Sequence, residues 1–282
     1  MVTHLGITTN TNQNTIDMKN FLKSIHRLFY LYTGLNLSVT ASSCFSYFTF
    51  KKQLHQLKKQ KEKSLVPFPI ARKLYPHYED KKDNAGTLEY HYFFQDLHVA
   101  QRIYKNNPNR HIDIGSRISG FVAHVAAFRE IEVYDIRPLN TPIPNVKFKQ
   151  FDLMQLCEED IESVDSISCL HAIEHFGLGR YGDPICYDGY LLGFTNIHKI
   201  LKTNGRFYFS VPLGKQRIEF HAHRVFSLEY LLELITPYYE INTFSYVDDN
   251  NVFHENVAIS KEKISDNCGC HYGCAVFELT KK

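Results

Sequence analysis

The stretch His111–Pro138, HIDIGSRISGFVAHVAAFREIEVYDIRP, decides the fold. Ile112 and Ile114 flank Asp113, and Gly115 follows at once, so a short apolar strand runs into a tight turn. Phe121, Val122, Val125 and Ala126 then recur at helical spacing. Ile131 and Val133 open a second strand that ends at Asp135. Strand, turn, helix and strand make a βαβ unit of the size that holds a nucleotide-like ligand.

Downstream the alternation continues. After the loop Pro138–Pro144, Val146–Leu153 reads as a third strand, Glu158, Glu159 and Asp160 begin a crossover, and Val164–Leu170 is a fourth strand. Tyr187–Lys202 has helical spacing and Asn204-Gly205 stands where a helix commonly ends. Arg206–Val211 is a fifth strand. Ser227 can cap a helix carrying Leu228, Leu231, Leu232 and Ile235, which Pro237 stops. Tyr239–Val247 and Gly273–Thr280 are the last two strands, joined by a polar loop. Upstream, Gly86–Lys105 predicts a helix with Phe93, Leu97, Ala100 and Tyr104 on its inner face. Alternation implies parallel strands with helices on both sides, and a terminal strand pair is naturally antiparallel. The expected fold is α/β: a doubly wound, seven-stranded, mostly parallel sheet with an antiparallel last strand.

With 282 residues, 44% of them hydrophobic, the chain can bury a large core, and general disorder is excluded. A formal net charge of +2 gives no global pull towards nucleic acid. The domain is expected over residues 86–282, with residues 1–85 as an extension ending in a linker marked by Pro67, Pro69 and Pro76. Within the extension, residues 1–20 are polar and contain no cleavable secretory signal pattern. Phe21–Phe50 is largely apolar, and Lys51, Lys52, Lys58, Lys59, Lys61 and Lys63 follow. A packed helical leader, a peripheral membrane contact through residues 21–63 and a weak membrane span are the open readings. Seven cysteines, an odd number, suit reduced thiols in a cytoplasmic protein better than a disulfide framework. Cys268, Cys270, His271 and Cys274 are too tightly spaced for the usual paired zinc signature, so no metal is expected.

Five segments in order resemble class I S-adenosylmethionine (SAM)-dependent methyltransferases: HIDIGS (111–116), VYDIRP (133–138), FKQFDL (148–153), SISCLHAIEHF (166–176) and LKTNGRFYFSVP (201–212). More narrowly, EYHYFFQDLHVAQRI (89–103), HIDIGSRISGFVAH (111–124) and FHAHRVFS (220–227) are similar to a domain-of-unknown-function family first catalogued in nematodes and also found among bacterial surface-polysaccharide proteins. The resemblance spans residues 86–282 and implies SAM as cofactor. The residues agree with it physically. Gly115, with Ser116 after it, lets backbone approach a ligand, and the amides beyond can hold a carboxylate. Asp113 can face an ammonium group, and Asp135, 22 residues on, stands where an acidic side chain grips ribose hydroxyls. The resemblance sets Asp152 and Leu153 beside adenine and has Leu170 and His171 close the cavity. The usual run of two or three glycines is reduced here to Gly115 and Gly120. An NAD site would call for a fuller glycine pattern.

Chemistry should lie beyond the fourth and fifth strands. His171, Glu174 and His175, with Arg180, Tyr181 and Asp183 nearby, form one cluster, in which histidine beside a carboxylate suits proton transfer. Arg217, His221, His223 and Arg224, with Glu219, form a second that can hold a phosphate or carboxylate. By analogy within the superfamily, Tyr92 and its neighbours Tyr90, His91 and Gln95 cover an acceptor site. The expectation is therefore methyl transfer from SAM to a small-molecule or glycan-linked acceptor, at oxygen; the alternative is a methyltransferase fold that serves as a binding or scaffold protein. Nucleic-acid methylation does not fit, because no basic, aromatic-rich strip lies in the domain.

Overall fold

The computed structural model describes residues 24–64, 69–76, 88–155 and 161–282. The expectations for the leader (1–20) and the crossover start at 158–160 lie outside these residues. The chain divides into two units, Met1–Thr87 and Leu88–Lys282. In the first, residues 24–33 are helical and α1 covers Leu37–Lys61. No helix among the described residues is long and apolar enough to cross a membrane.

The second unit opens with α2 (Tyr90–Asn106), then β1 (His111–Ile114), a helical turn at Ile118–Val122 broken at Gly120, and α3 (Ala123–Ala126). Next come β2 (Ile131–Asp135), β3 (Val146–Gln150), β4 (Val164–Leu170), α4 (Gly189–Ile200) and β5 (Leu201–Leu213). The chain finishes with β6 (Arg217–Glu219), β7 (His223–Val225), α5 (Leu228–Ile235), β8 (Tyr239–Val247), β9 (Phe253–His254), α6 (Lys261–Asp266) and β10 (Gly273–Lys281). The main sheet runs β3-β2-β1-β4-β5-β10-β8-β9. Strands β1 to β5 are mutually parallel, and β10 is antiparallel to both β5 and β8. This is the expected seven-stranded, doubly wound sheet with its antiparallel last strand. The two-residue edge strand β9 and the separate hairpin β6–β7 were not foreseen.

β1 and β4 lie in the middle of the sheet, buried on both faces, so they should be apolar throughout. They are not. His111 and Asp113 on β1 sit beside Ser166 and Ser168 on β4 in parallel register. The strands tolerate these residues because each polar group meets another. His111 Nδ1 lies 2.7 Å from Ser166 Oγ and its Nε2 3.2 Å from Ser168 Oγ. Ser168 Oγ donates to Asp113 Oδ1 at 2.6 Å. Apolar layers cover both faces. Phe194, Phe207, Phe209 and Phe277 lead one, while Ile103, Phe121, Val125 and Ile131 belong to the other.

Two expectations are corrected. The helix of residues 187–202 ends at Ile200, and β5 begins at once. Asn204-Gly205 caps nothing: Leu201 pairs with Val164 and Arg206 with Ser166, so the intervening residues bulge out of β5, with Asn204 at φ 63°. The inner face of α2 is also different. Phe93, Leu97 and Tyr104 are exposed, and the buried side carries Gln95, Asp96, His98, Val99, Ala100 and Ile103. Its apolar end packs on the sheet, and an ion-paired clasp fixes it. Buried Glu278 of β10 accepts from Arg102 Nε and, at 3.0 Å, from Asn106 Nδ2. The polar N-terminal half of α2 is thereby held over the carboxyl ends of the strands.

Candidate active site at the carboxyl ends of the parallel strands

A cavity of about 360 Å³ opens where β1, β2, β3 and β4 end. The turn Gly115–Arg117, Asp135, Asp152–Met154 and Leu170–Ala172 frame it. The turn needs its glycine. Gly115 has φ +70°, and a β-carbon there would lie 3.2 Å from Ala172 Cβ. Gly115→Ala should therefore cost about 1–2 kcal/mol of stability through the left-handed backbone alone, and a larger side chain would enter the cavity floor. Thermal denaturation of the variant beside the parent checks this; an unchanged midpoint contradicts it.

Asp113 does not line the cavity, contrary to the expectation that it faces a ligand's ammonium. It is fully buried and turned into its own loop, accepting from Ser116 N (3.0 Å), Ser116 Oγ (2.8 Å) and Ser168 Oγ (2.6 Å). Burial pushes its carboxyl up to about 7, against the lowering effect of these hydrogen bonds. Its work is to shape the Gly115–Arg117 turn. The acidic groups that do line the cavity are Asp96, Asp135, Asp152 and Asp183. Asp96 is 4% exposed and, mainly through desolvation, has its carboxyl pushed up to about 6. Asp135 accepts from Arg137 N (2.8 Å), Nε (3.0 Å) and Nη2 (2.7 Å), and the Arg137 guanidinium lies over the Tyr181 ring at 4.6 Å. Asp152 accepts from Met154 N at 3.0 Å, and Leu153 beside it is buried. Tyr134 and Phe151, whose rings lie 5.3 Å apart, complete an aromatic wall that the sequence reading did not single out.

A second cavity of about 410 Å³ adjoins the first. Tyr92, His171, His175 and Arg180 line both; Glu174, His221, His223 and Tyr272 belong to the second alone. The loop after β4 builds the boundary. Asp183 Oδ2 accepts from Gly177 N (2.8 Å) and Gly179 N (3.1 Å), and its Oδ1 from Tyr181 N (3.1 Å), which presents Arg180 and Tyr181 inward. His171, directly after β4, sits at φ 48°, an uncommon conformation for a residue with a β-carbon. Ser210 holds it there, its carbonyl 3.0 Å and its Oγ 3.1 Å from His171 N.

The ionisable groups divide into different roles. His171 Nδ1 meets Glu174 Oε1 at 2.9 Å, and its Nε2 meets Cys274 Sγ at 3.2 Å. Desolvation would lower the His171 pKa, but the Cys274 sulfur and the Glu174 carboxylate outweigh it, and the imidazole stays protonated well above its ordinary range. Desolvation likewise opposes ionisation of Glu174, yet the His171 charge holds its carboxyl below the usual range. Glu174 is 1% exposed, and its Oε2 has no hydrogen-bond partner. His175 behaves oppositely: burial lowers its pKa, and its Nδ1 donates to Ala222 O at 2.6 Å. That leaves a neutral ring with the lone pair on Nε2, 3.8 Å from Glu174 Oε1.

The second predicted cluster does not act as one. His221 and His223 line the second cavity, but Arg217 and Arg224 line neither cavity. Arg217 pairs with Glu219 at 2.8 Å. Arg224 is 4% exposed and donates to the carbonyls of Glu174 (3.2 Å), Phe176 (2.7 Å) and Tyr187 (2.8 Å). It pins the loop after β4 instead of offering a free guanidinium. Among the described residues no group of three or more His, Cys, Asp or Glu is arranged to hold a metal ion.

Comparison with solved structures finds proteins with the same architecture at low identity. A 1,6-didemethyltoxoflavin-N1-methyltransferase from Burkholderia thailandensis is 14% identical, with a TM-score of 0.47 over 67% of this chain and 79% of that one. The N-methyltransferase NodS from Bradyrhizobium japonicum is 12% identical, with a TM-score of 0.44 over 67% and 87%. The [4+2]-cyclase SpnF is 15% identical, with a TM-score of 0.49 over 67% and 80%. No curated protein matches the sequence. A family profile described as "Caenorhabditis protein of unknown function, DUF268" matches residues 145–268. The strand order β3-β2-β1-β4-β5-β10-β8, with β10 antiparallel, is that of the class I SAM-dependent methyltransferase fold, and within it the chain carries the DUF268 match.

Proposed function

We propose that this protein is a SAM-dependent methyltransferase acting at an oxygen of a small-molecule or glycan-linked acceptor. The observation that carries the reading is a pair of adjoining cavities that share Tyr92, His171, His175 and Arg180. One end has the Gly115 turn, Asp135, Asp152 and an aromatic wall; the other has a neutral histidine beside a buried carboxylate. The groups at the first end fit SAM. Backbone at Gly115–Arg117 suits the methionine portion, Asp96 lines the same cavity and can balance an ammonium, and Asp135 suits ribose hydroxyls in place of its Arg137 partner. Asp152, Leu153 and Phe151 suit adenine. SAM supplies a methyl group already activated on a sulfonium, so placement of the acceptor does most of the remaining work.

The chain's own contribution at the second end is proton handling. His171 is protonated, and both of its nitrogens are engaged, so it cannot take a proton; it fixes Glu174. His175 can accept one from an acceptor hydroxyl at Nε2, and Glu174 then faces the new imidazolium. Glu174 Oε2 remains as an acceptor for a donor on the substrate. Calorimetry with S-adenosylhomocysteine tests the first end. Asp135→Ala should weaken binding about 30- to 150-fold, the equivalent of roughly 2–3 kcal/mol from charge-assisted hydrogen bonds. His175→Ala should leave binding intact and lower kcat by roughly 10²–10⁴-fold. Absence of cofactor binding by the parent protein would rule the reading out.

A further inference from the structure

The first unit carries a feature that the catalytic reading does not use. Residues 24–64 contain Arg27 and six lysines, Lys51, Lys52, Lys58, Lys59, Lys61 and Lys63, against one acid, Glu62. This segment alone is +6, whereas the whole chain is +2, so everything outside it sums to −4. All six lysines are exposed. The apolar residues are exposed too: Leu31 is 68%, Tyr32 87% and Phe48 72% accessible, and Leu28, Tyr30, Leu35 and Tyr47 are also open to solvent. No charged residue falls between Leu28 and Phe50. The separation of apolar from basic runs along the chain, with the uncharged stretch first and the lysines in the second half of α1.

We propose that residues 24–64 dock the protein on an anionic phospholipid surface. The exposed side chains of residues 28–35 and 47–48 enter the interfacial layer, and the lysines of α1 lie over acidic headgroups. Two observations select this partner. Six basic side chains with no acid before Glu62 are complementary to a negative surface, and clusters of four to eight such residues beside an apolar segment are what acidic leaflets attract. Solvent-facing leucine, tyrosine and phenylalanine next to them gain from an acyl phase, which a nucleic acid does not offer. Contact at the surface rather than a crossing follows from the described helices, none of which is long and apolar enough to span.

Co-sedimentation of the full-length protein with vesicles tests this. Vesicles containing about one third phosphatidylserine in phosphatidylcholine should bind it at least about ten-fold more strongly than pure phosphatidylcholine, and raising the salt to about 0.5 M should weaken binding. Replacing Lys51, Lys52, Lys58 and Lys59 together with glutamine should reduce partitioning by about 600-fold, since each lysine contributes roughly five-fold. Leu31→Ser with Tyr32→Ser should weaken binding to both vesicle types. Circular dichroism and S-adenosylhomocysteine binding of each variant report that the fold is intact. The proposal is overturned if neither vesicle sediments the protein, if the glutamine variant binds as the parent does, or if a single-stranded oligonucleotide binds more tightly than the acidic vesicles.

Discussion

Glu174→Ala is expected to destabilise the 88–282 unit by about 3–5 kcal/mol, the range for leaving a buried partner charge uncompensated. Glu174 and His171 are both almost fully buried, and the 2.9 Å contact between them joins two groups that each resist ionisation alone. With the carboxylate gone, His171 must either keep a charge in an apolar surround or lose its proton and its Nδ1 partner. A raised folded-state pKa means that the stabilisation from His171 is complete below 6.5 and disappears as pH rises through the folded value. At neutral pH the ion pair is therefore present in full. Glu174→Gln keeps the volume and one acceptor for His171 Nδ1, so it should cost distinctly less than alanine. Urea unfolding of the three proteins at pH 7 provides the comparison. A Glu174→Ala midpoint equal to that of the parent would show that the pair carries no stability and that His171 is neutral.

The same residues show what the sequence can and cannot reveal. The fold was legible because β1, β2, β4 and β5 are mostly apolar and alternate with helical spacing, and because the last two strands are joined by a polar loop with no obvious helical spacing. The first cavity was legible for the same reason: Gly115, Asp135 and Asp152, which line it, follow directly from strand ends. Asp113 was misassigned because a strand-end aspartate before a glycine reads the same whether its carboxylate points at a ligand or back into the turn. Only the positions of Ser116 and Ser168 separate the two, and Ser168 comes from a strand 55 residues away. Asp96 was missed, and the inner face of α2 misplaced, through a shared cause. Helical periodicity ranks apolar residues as inside, and this helix buries Gln95, Asp96 and His98 while exposing Phe93, Leu97 and Tyr104. A helix that lines a site inverts the pattern. Arg224 looked like a substrate ligand because carbonyl partners leave no trace in a sequence.

Acid is expected to weaken this unit through its buried histidines, and His111 carries the largest single contribution among them. Its imidazole is fully buried, and desolvation pushes its pKa down to about 3 from an ordinary 6.5. The two serine contacts specify its state. Ser168 Oγ already donates to Asp113, so it accepts from His111 Nε2, and Nδ1 then accepts from Ser166 Oγ. A neutral ring satisfies every partner, whereas a second proton would have none. Because the folded value lies below the unfolded one, the unfolded chain takes up a proton first as pH falls through 6.5, and stability declines from there down to about 3. Between pH 6.5 and 4.5 this one group removes on the order of 3 kcal/mol, at about 1.4 kcal/mol per pH unit. His91, lowered to about 4 chiefly by burial, adds in the same direction and over nearly the same range. Asp113 and Asp96 act oppositely. Their raised values mean that stability is lost as pH rises from 3.8 towards 7 and 6, which offsets a comparable amount of the His111 and His91 contributions across the shared interval. The net fall with acid comes from the other histidines that burial lowers, His98, His175 and His223. Urea midpoints at pH 7.0, 5.5 and 4.5 should therefore fall with acid, and His111→Gln, which cannot protonate, should flatten the slope even if it lowers stability at pH 7. A slope that is the same with and without His111 would place the acid sensitivity elsewhere. The consequence reaches the site, because His111, Ser168, Asp113 and Ser116 form one hydrogen-bonded line from the sheet interior to the Gly115 turn. Replacing its buried end, as in His111→Gln, should therefore also loosen that turn and weaken S-adenosylhomocysteine binding at pH 7.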